Sequence, residues 1–250
     1  TVLSGKFFYF IHFLPIASSN FWGIWFFYFL IKMSQTNFSC AQARVPAPRK
    51  APPLRDLLGL AIALALEILG GDIESVSYQL FCTPFFLAIL LSWNKKIFSP
   101  AWIMLILGVL LGIFFAFAQF LPLFEYSKFF LRSAGYTFQE FQTRALPSKF
   151  AWALIFPIKN IKTLVFQSPA PYLYLGLVSI FFPFYALLFN RKYLWLFLLC
   201  IFALLFSFGS LTPLDWIIYH IPFLNRYSTQ ERSFFIFQIF WALLAGFGID

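Results

Sequence analysis

The sequence predicts an all-α membrane protein, a polytopic bundle of about seven transmembrane helices, on three observations. Of its 250 residues 61% are hydrophobic and only 11% charged, whereas soluble domains carry about 25% charged residues. The apolar residues fall into seven separate runs divided by charges or by Gly, Pro, Ser and Asn, each near the length a helix needs to cross hydrocarbon. Lys and Arg concentrate in three of the intervening loops, the asymmetry that orients helices in a bilayer.

The first run, 7–31, is interrupted by Pro15 and by Ser18-Ser19-Asn20. It keeps the length of one span, with Lys6 and Lys32 as end anchors and Trp22, Trp25 and Tyr28 toward one end. Residues 33–56 form a basic, flexible loop with Arg44, Arg49, Lys50 and Arg55. The two runs that follow, 54–70 and 76–93, make the hairpin around which the other helices pack. They fold about Gly70-Gly71-Asp72-Ile73-Glu74-Ser75. From Leu57 to Leu69 a helix rises only about 20 Å, against a hydrocarbon core of about 30 Å. The acidic turn is therefore expected at or below the membrane surface, where only protein or a water-filled cavity tolerates it.

The fourth span covers 101–124, with Gln119 and Pro122 near its far end. Residues 125–174 are the longest polar region and predict outward, interfacial amphipathic helices rather than a linker. Spans 175–189 and 193–208 flank the tight basic turn Arg191-Lys192. An ordered loop over 210–232, with Pro213 and Pro222, leads into the last span, 233–249. The basic loops 33–56, 93–100 and 190–193 are predicted to be cytoplasmic, which turns the acidic hairpin, the 125–174 region and the 210–232 loop outward together.

The net charge of +9 belongs to this topology. No basic patch with interleaved aromatics points to nucleic acid. Cys40, Cys82 and Cys200 give neither a disulfide framework nor a metal spacing. His12 and His220 stand alone and read as packing residues. There is no Walker-type loop, dinucleotide fingerprint or nucleophile elbow, so nucleotide-driven chemistry is not expected. The absence of an initiator Met, and a last apolar run that stops at Asp250, predict a piece of a longer protein.

The outward regions collect Asp72, Glu74, Glu125, Glu140, Asp215 and Glu231 with Arg132, Arg144, Arg226 and Arg232. Mixed charge at one face suits an anionic, membrane-borne substrate: arginine forks hold phosphate, and a carboxylate takes a proton from an attacking hydroxyl. Each group also has a plainer reading. Asp72 and Glu74 fit a solvated turn. Glu67, one helical turn before the glycines, either faces a cavity or reaches water from the helix end. Glu231 and Arg232 fit helix-end charges.

The order of short motifs resembles the bacterial YfhO-like membrane proteins, of the GT-C class of multi-pass glycosyltransferases. Gly70-Gly71-Asp72-Ile73-Glu74 is similar to that family's hairpin turn, with Ile73 and Glu74 where Pro and Gln are usual. Gln119-Phe120-Leu121-Pro122, Glu125-Tyr126, Gly135-Tyr136, Arg144-Ala145-Leu146-Pro147 and Phe156-Pro157 continue in its order, as does Tyr174-Leu175-Gly176-Leu177. Gly209 to Pro213, Ile221-Pro222-Phe223, Arg226, Glu231-Arg232 and Leu244-Ala245-Gly246-Phe247-Gly248 resemble its closing pattern, though the 226–232 stretch is longer and lacks the family's Pro.

The resemblance implies transfer of a sugar from an undecaprenyl-phosphate (polyprenyl-phosphate) carrier to a cell-envelope glycopolymer or lipid, at the inner membrane of a bacterial cell. Arg226, Arg232 and Arg144 would bind the lipid phosphate. Glu125 and Glu231 would join them in substrate binding, and Asp72 and Glu74 would line the pocket; these two are candidate catalytic carboxylates by their place in the turn, which the resemblance itself does not state. The family's usual catalytic carboxylate lies in an outward loop that would precede Thr1. No cofactor is implied, and a divalent metal is left open. The competing expectations are a transporter or lipid-linked-sugar flippase, with polar residues through the membrane depth, and a non-catalytic membrane scaffold.

Overall fold

The computed structural model describes residues 20–35, 54–93, 95, 97–119, 122, 137–142, 177–209, 212–221 and 230–249. All regular structure among them is helical, as the composition predicts. The chain divides into two compact units, Thr1–Phe130 and Leu131–Asp250.

In the first unit, α1 covers 20–35, α2 is Leu54–Leu69, α3 is Ile73–Ser92 and α4 is Ala101–Phe115. Residues 20–31 of the expected span 7–31 are helical, and α1 continues through Lys32, Met33 and Ser34 to residue 35; residues 7–19 lie outside the described set. Arg55 and Asp56, at the boundary between the basic loop and the expected span 54–70, form the first turn of α2. Lys32 and Asp56 face each other across the two helix ends. Lys32 Nζ lies 3.7 Å from Asp56 Oδ1, so the ion pair ties the end of α1 to the start of α2.

α2 packs most extensively on α4. The buried positions of α4 are Ala101, Leu105, Gly108 and Gly112, a helical 4-3-4 spacing that puts small residues on one face. That stripe lies against Leu57, Leu60, Ala61 and Leu64 of α2. Gly108-x-x-x-Gly112 thus lets two backbones approach closely, as small residues do between apolar helices. The Phe29 ring of α1 occupies the space over Gly59 of α2, and Phe27 meets Phe86 of α3 edge to face at 5.3 Å. α1 therefore touches both arms of the hairpin.

The opposite face of α4 is inverted relative to a soluble helix. Ile103, Ile106, Leu107, Leu110, Ile113 and Phe114 all point outward, exposed. Its one hydrogen-bonding side chain, Trp102, donates to the Ile97 carbonyl at 2.8 Å.

The second unit contains α5 (Phe138–Gln142), α6 (Leu177–Phe189), α7 (Leu194–Ser207), α8 (Leu214–Tyr219) and α9 (Phe234–Ile249), with 3-10 turns at Arg191–Tyr193 and Gln230–Ser233. α9 packs on both α6 and α7, where Phe184 and Phe237 meet Trp241. Tyr193 stacks on Phe247 at 4.9 Å, and Ser233 Oγ donates to the Ala203 carbonyl at 3.3 Å. Phe138 and Phe141 flank Tyr219 of α8.

Among the described residues one helix, α3 with 20 residues, is long and apolar enough to cross a membrane; it rises about 30 Å. The other long helices have 13 to 16 residues, about 20–24 Å. α2, α3, α6, α7 and α9 each begin and end within three residues of an expected span. α4 stops at Phe115, nine residues before the expected end, at a turn on Ala116, and residues 117–119 are again helical.

Candidate functional site at the helical hairpin

α2 ends where its sequence stops it. Gly70 N–H donates to the Leu66 carbonyl and Gly71 N–H to the Ile68 carbonyl. Gly71 then takes φ 93°, a left-handed conformation that favours glycine. Asp72 follows as the N-cap of α3. Its Oδ2 accepts the Ser75 hydroxyl at 2.6 Å and its Oδ1 the Ser75 N–H at 3.5 Å. Two carboxylates at a helix N-terminus are electrostatically favoured there.

The turn is nevertheless not a solvated one. Asp72 is 2% exposed and Glu74 5%, and Glu67 is 0% exposed although it lies near the end of α2. The plainer readings, a solvated turn and a helix-end group reaching water, are thereby corrected: the packed helices bury all three groups. Gln79 of α3 donates from Nε2 to Glu67 Oε2 at 2.8 Å and is itself 0% exposed. Thr83, also buried, donates to the Gln79 carbonyl at 2.8 Å. Asp72, Ser75, Gln79 and Thr83 follow at intervals of three, four and four, so they share one face of α3. The resulting polar seam extends about 16 Å along the helix. Sequence reasoning missed Gln79 and Thr83, although this spacing is visible in the sequence.

Asp72 thus has a structural duty whatever else it does. Asp72→Ala is expected to cost about 1 kcal/mol, with Asp72→Asn close to neutral because asparagine caps equally well. Unfolding midpoints in detergent check this, and equal loss in both variants would show that the carboxylate acts other than as a cap.

The remaining sequence candidates are distributed differently. Arg232 is half-buried at the entrance to α9. Glu231 lies in the same 3-10 turn, with its side chain outside the described residues, as are Glu125, Arg144 and Arg226 entirely. Asp215 is buried in α8 rather than displayed at a face. His220 has Nδ1 2.7 Å from the Trp216 carbonyl and its ring against Trp216, a packing residue. Cys82 and Cys200 are buried free thiols. Among the described residues no group of three or more His, Cys, Asp or Glu is arranged to hold a metal ion.

Glu140 is fully exposed, and its chemistry is local. Thr137 N–H and Oγ1 donate to its Oε2 at 2.9 and 2.8 Å, and Glu140 N–H donates back to Thr137 Oγ1 at 3.3 Å. This capping box holds the carboxyl below the ordinary glutamate range, chiefly through the Thr137 N–H. With a depressed folded value, the cap's contribution is present above the unfolded glutamate range and is lost as pH falls through the folded one. An NMR titration of Glu140 is expected to show the lowered midpoint; an ordinary midpoint would mean the cap does not form.

No family model, curated protein or solved structure matches this chain.

Proposed function

We propose that this chain is part of a multi-pass membrane protein of GT-C type that transfers a sugar from a polyprenyl-phosphate carrier to a cell-envelope acceptor. Two features support a membrane setting: the length of α3 and the outward, wholly aliphatic and aromatic face of α4. On this reading the expected seven spans and the inner-membrane location stand together, with helices of 13–16 residues crossing where the bilayer or their neighbours adapt.

The observation that carries the functional reading is the burial of Glu67, Asp72 and Glu74 around one turn between apolar helices. Buried ionisable groups in such surroundings are costly and mark sites. The order of motifs, which resembles that of the YfhO-like proteins, suggests the substrate class. Glu74 would act on the acceptor hydroxyl or line its pocket, with Asp72 beside it. Arg144, Arg226 and Arg232 are the candidates for the lipid phosphate, with Glu125 and Glu231 as further substrate contacts.

The test uses the full-length protein in membranes with a radiolabelled sugar on polyprenyl phosphate. Glu74→Gln is expected to lower transfer by about 100-fold or more while the protein still accumulates. Unchanged transfer in that variant would remove the reading.

A second reading, a transporter or lipid-linked-sugar flippase, is favoured by one observation: the polar seam from Asp72 to Thr83 continues about half of a bilayer's depth. It predicts movement of the lipid-linked sugar across vesicles without transfer, and loss of that movement in Thr83→Val.

A further inference from the structure

We propose that Glu67 and Gln79 form a proton-binding site in the interior of the first unit, an acid–amide pair whose ligand is a single proton. This stands apart from sugar transfer, since it follows from the pair itself.

Both side chains are 0% exposed and their one direct bond is Gln79 Nε2 to Glu67 Oε2 at 2.8 Å. The other half of the amide is the informative atom. Gln79 Oε1 is buried and has no hydrogen-bond donor. The hydroxyls on the same face of α3 are already committed, Thr83 to the Gln79 backbone carbonyl and Ser75 to Asp72. A proton on the second oxygen of Glu67 would supply the missing donor. It converts the contact into a paired arrangement, amide N–H to acid carbonyl and acid O–H to amide oxygen. Turning the amide over leads to the same result. The Gln79 oxygen would then face Glu67 Oε2, and only a protonated carboxyl could donate to it.

The electrostatic surroundings point the same way. The turn and α3 bring Asp72, Glu74, Tyr78 and the buried thiol of Cys82. α4 brings no titratable residue within Ala101–Phe115. On α2 itself, Arg55 and Asp56 lie eleven or more residues earlier, about 17 Å along the axis. α1 brings Tyr28 and Lys32, and Lys32 is engaged with Asp56 at that far end. The described charges nearest Glu67 along the hairpin are therefore acidic, a setting in which a buried anion is costly and a proton removes the cost. A proton held between helices is what a membrane process coupled to protons requires.

The test is infrared spectroscopy of the full chain in lipid nanodiscs at neutral pH. The expected result is a carbonyl stretch of a protonated carboxyl that disappears in Glu67→Gln and shifts in Gln79→Leu. A spectrum with no protonated-carboxyl band overturns the proposal, as does a band that both variants leave unchanged. Should Glu67→Gln fail to accumulate, dicyclohexylcarbodiimide on the unmodified protein decides. The carboxyl O–H adds across a C=N bond of the reagent, the proton going to nitrogen, and an acyl shift leaves a stable N-acylurea with no leaving group. Mass-spectrometric mapping of that adduct to Glu67, declining as the pH is raised, supports the site. An adduct confined to Asp72 or Glu74, or none, overturns it.

Discussion

Leucine in place of Gly112 is expected to force α2 and α4 apart and to destabilise the first unit by about 1–3 kcal/mol or more. A Cβ on Gly112 would lie 2.9 Å from Leu64 Cδ2 and 3.0 Å from the Ala61 carbonyl oxygen. The leucine side chain can turn away, but the carbonyl belongs to the backbone of α2 and cannot move without that helix. Gly246 supplies the control. A Cβ there meets nothing within 4 Å, so Gly246→Leu tests the same change of residue without the close approach. Unfolding midpoints in detergent should fall for Gly112→Leu and stay near the parent for Gly246→Leu. Equal midpoints would mean that the small-residue stripe does not set the distance between the helices.

The second large effect is expected at Gln79→Leu, with a loss of about 1–3 kcal/mol. The variant removes the donor at 2.8 Å from Glu67 Oε2 while the acid stays buried. Adding Glu67→Leu should then recover most of the loss, because replacing both members of a buried polar pair by apolar groups is close to neutral. A double-mutant cycle reads the coupling directly. A value within the ~0.3–0.5 kcal/mol found for independent sites would show that the hairpin does not depend on this bond.

Much of the local structure was legible beforehand. The apolar runs at 54–70, 76–93, 175–189, 193–208 and 233–249 become helices with nearly those limits, because the charges and glycines between them are the residues that end helices. The box Thr137-x-x-Glu140 that starts α5 went unread within the 125–174 region, although its spacing is in the sequence. α1 runs a few residues past the expected limit at Ile31, and no local pattern shows that Lys32 there meets Asp56, 24 positions away. Asp72 and Glu74 were identified as candidates by their place in the turn, while Glu67 was weighed and Gln79 passed over. The polar spacing of 72, 75, 79 and 83 was present, but nothing in α3 alone says which face meets α2.

The sequence by itself determined the helical class, the apolar runs and the turn at Gly70-Gly71, since backbone preference and hydropathy are properties of adjacent residues. Only the tertiary structure decided which groups are buried and what they meet. It set Gly108 and Gly112 against α2 and brought Gln79 to Glu67 from the next helix. Burial depends on what the neighbouring helices cover, and a carboxyl at the end of an apolar run is a solvated charge or an interior acid according to that cover alone.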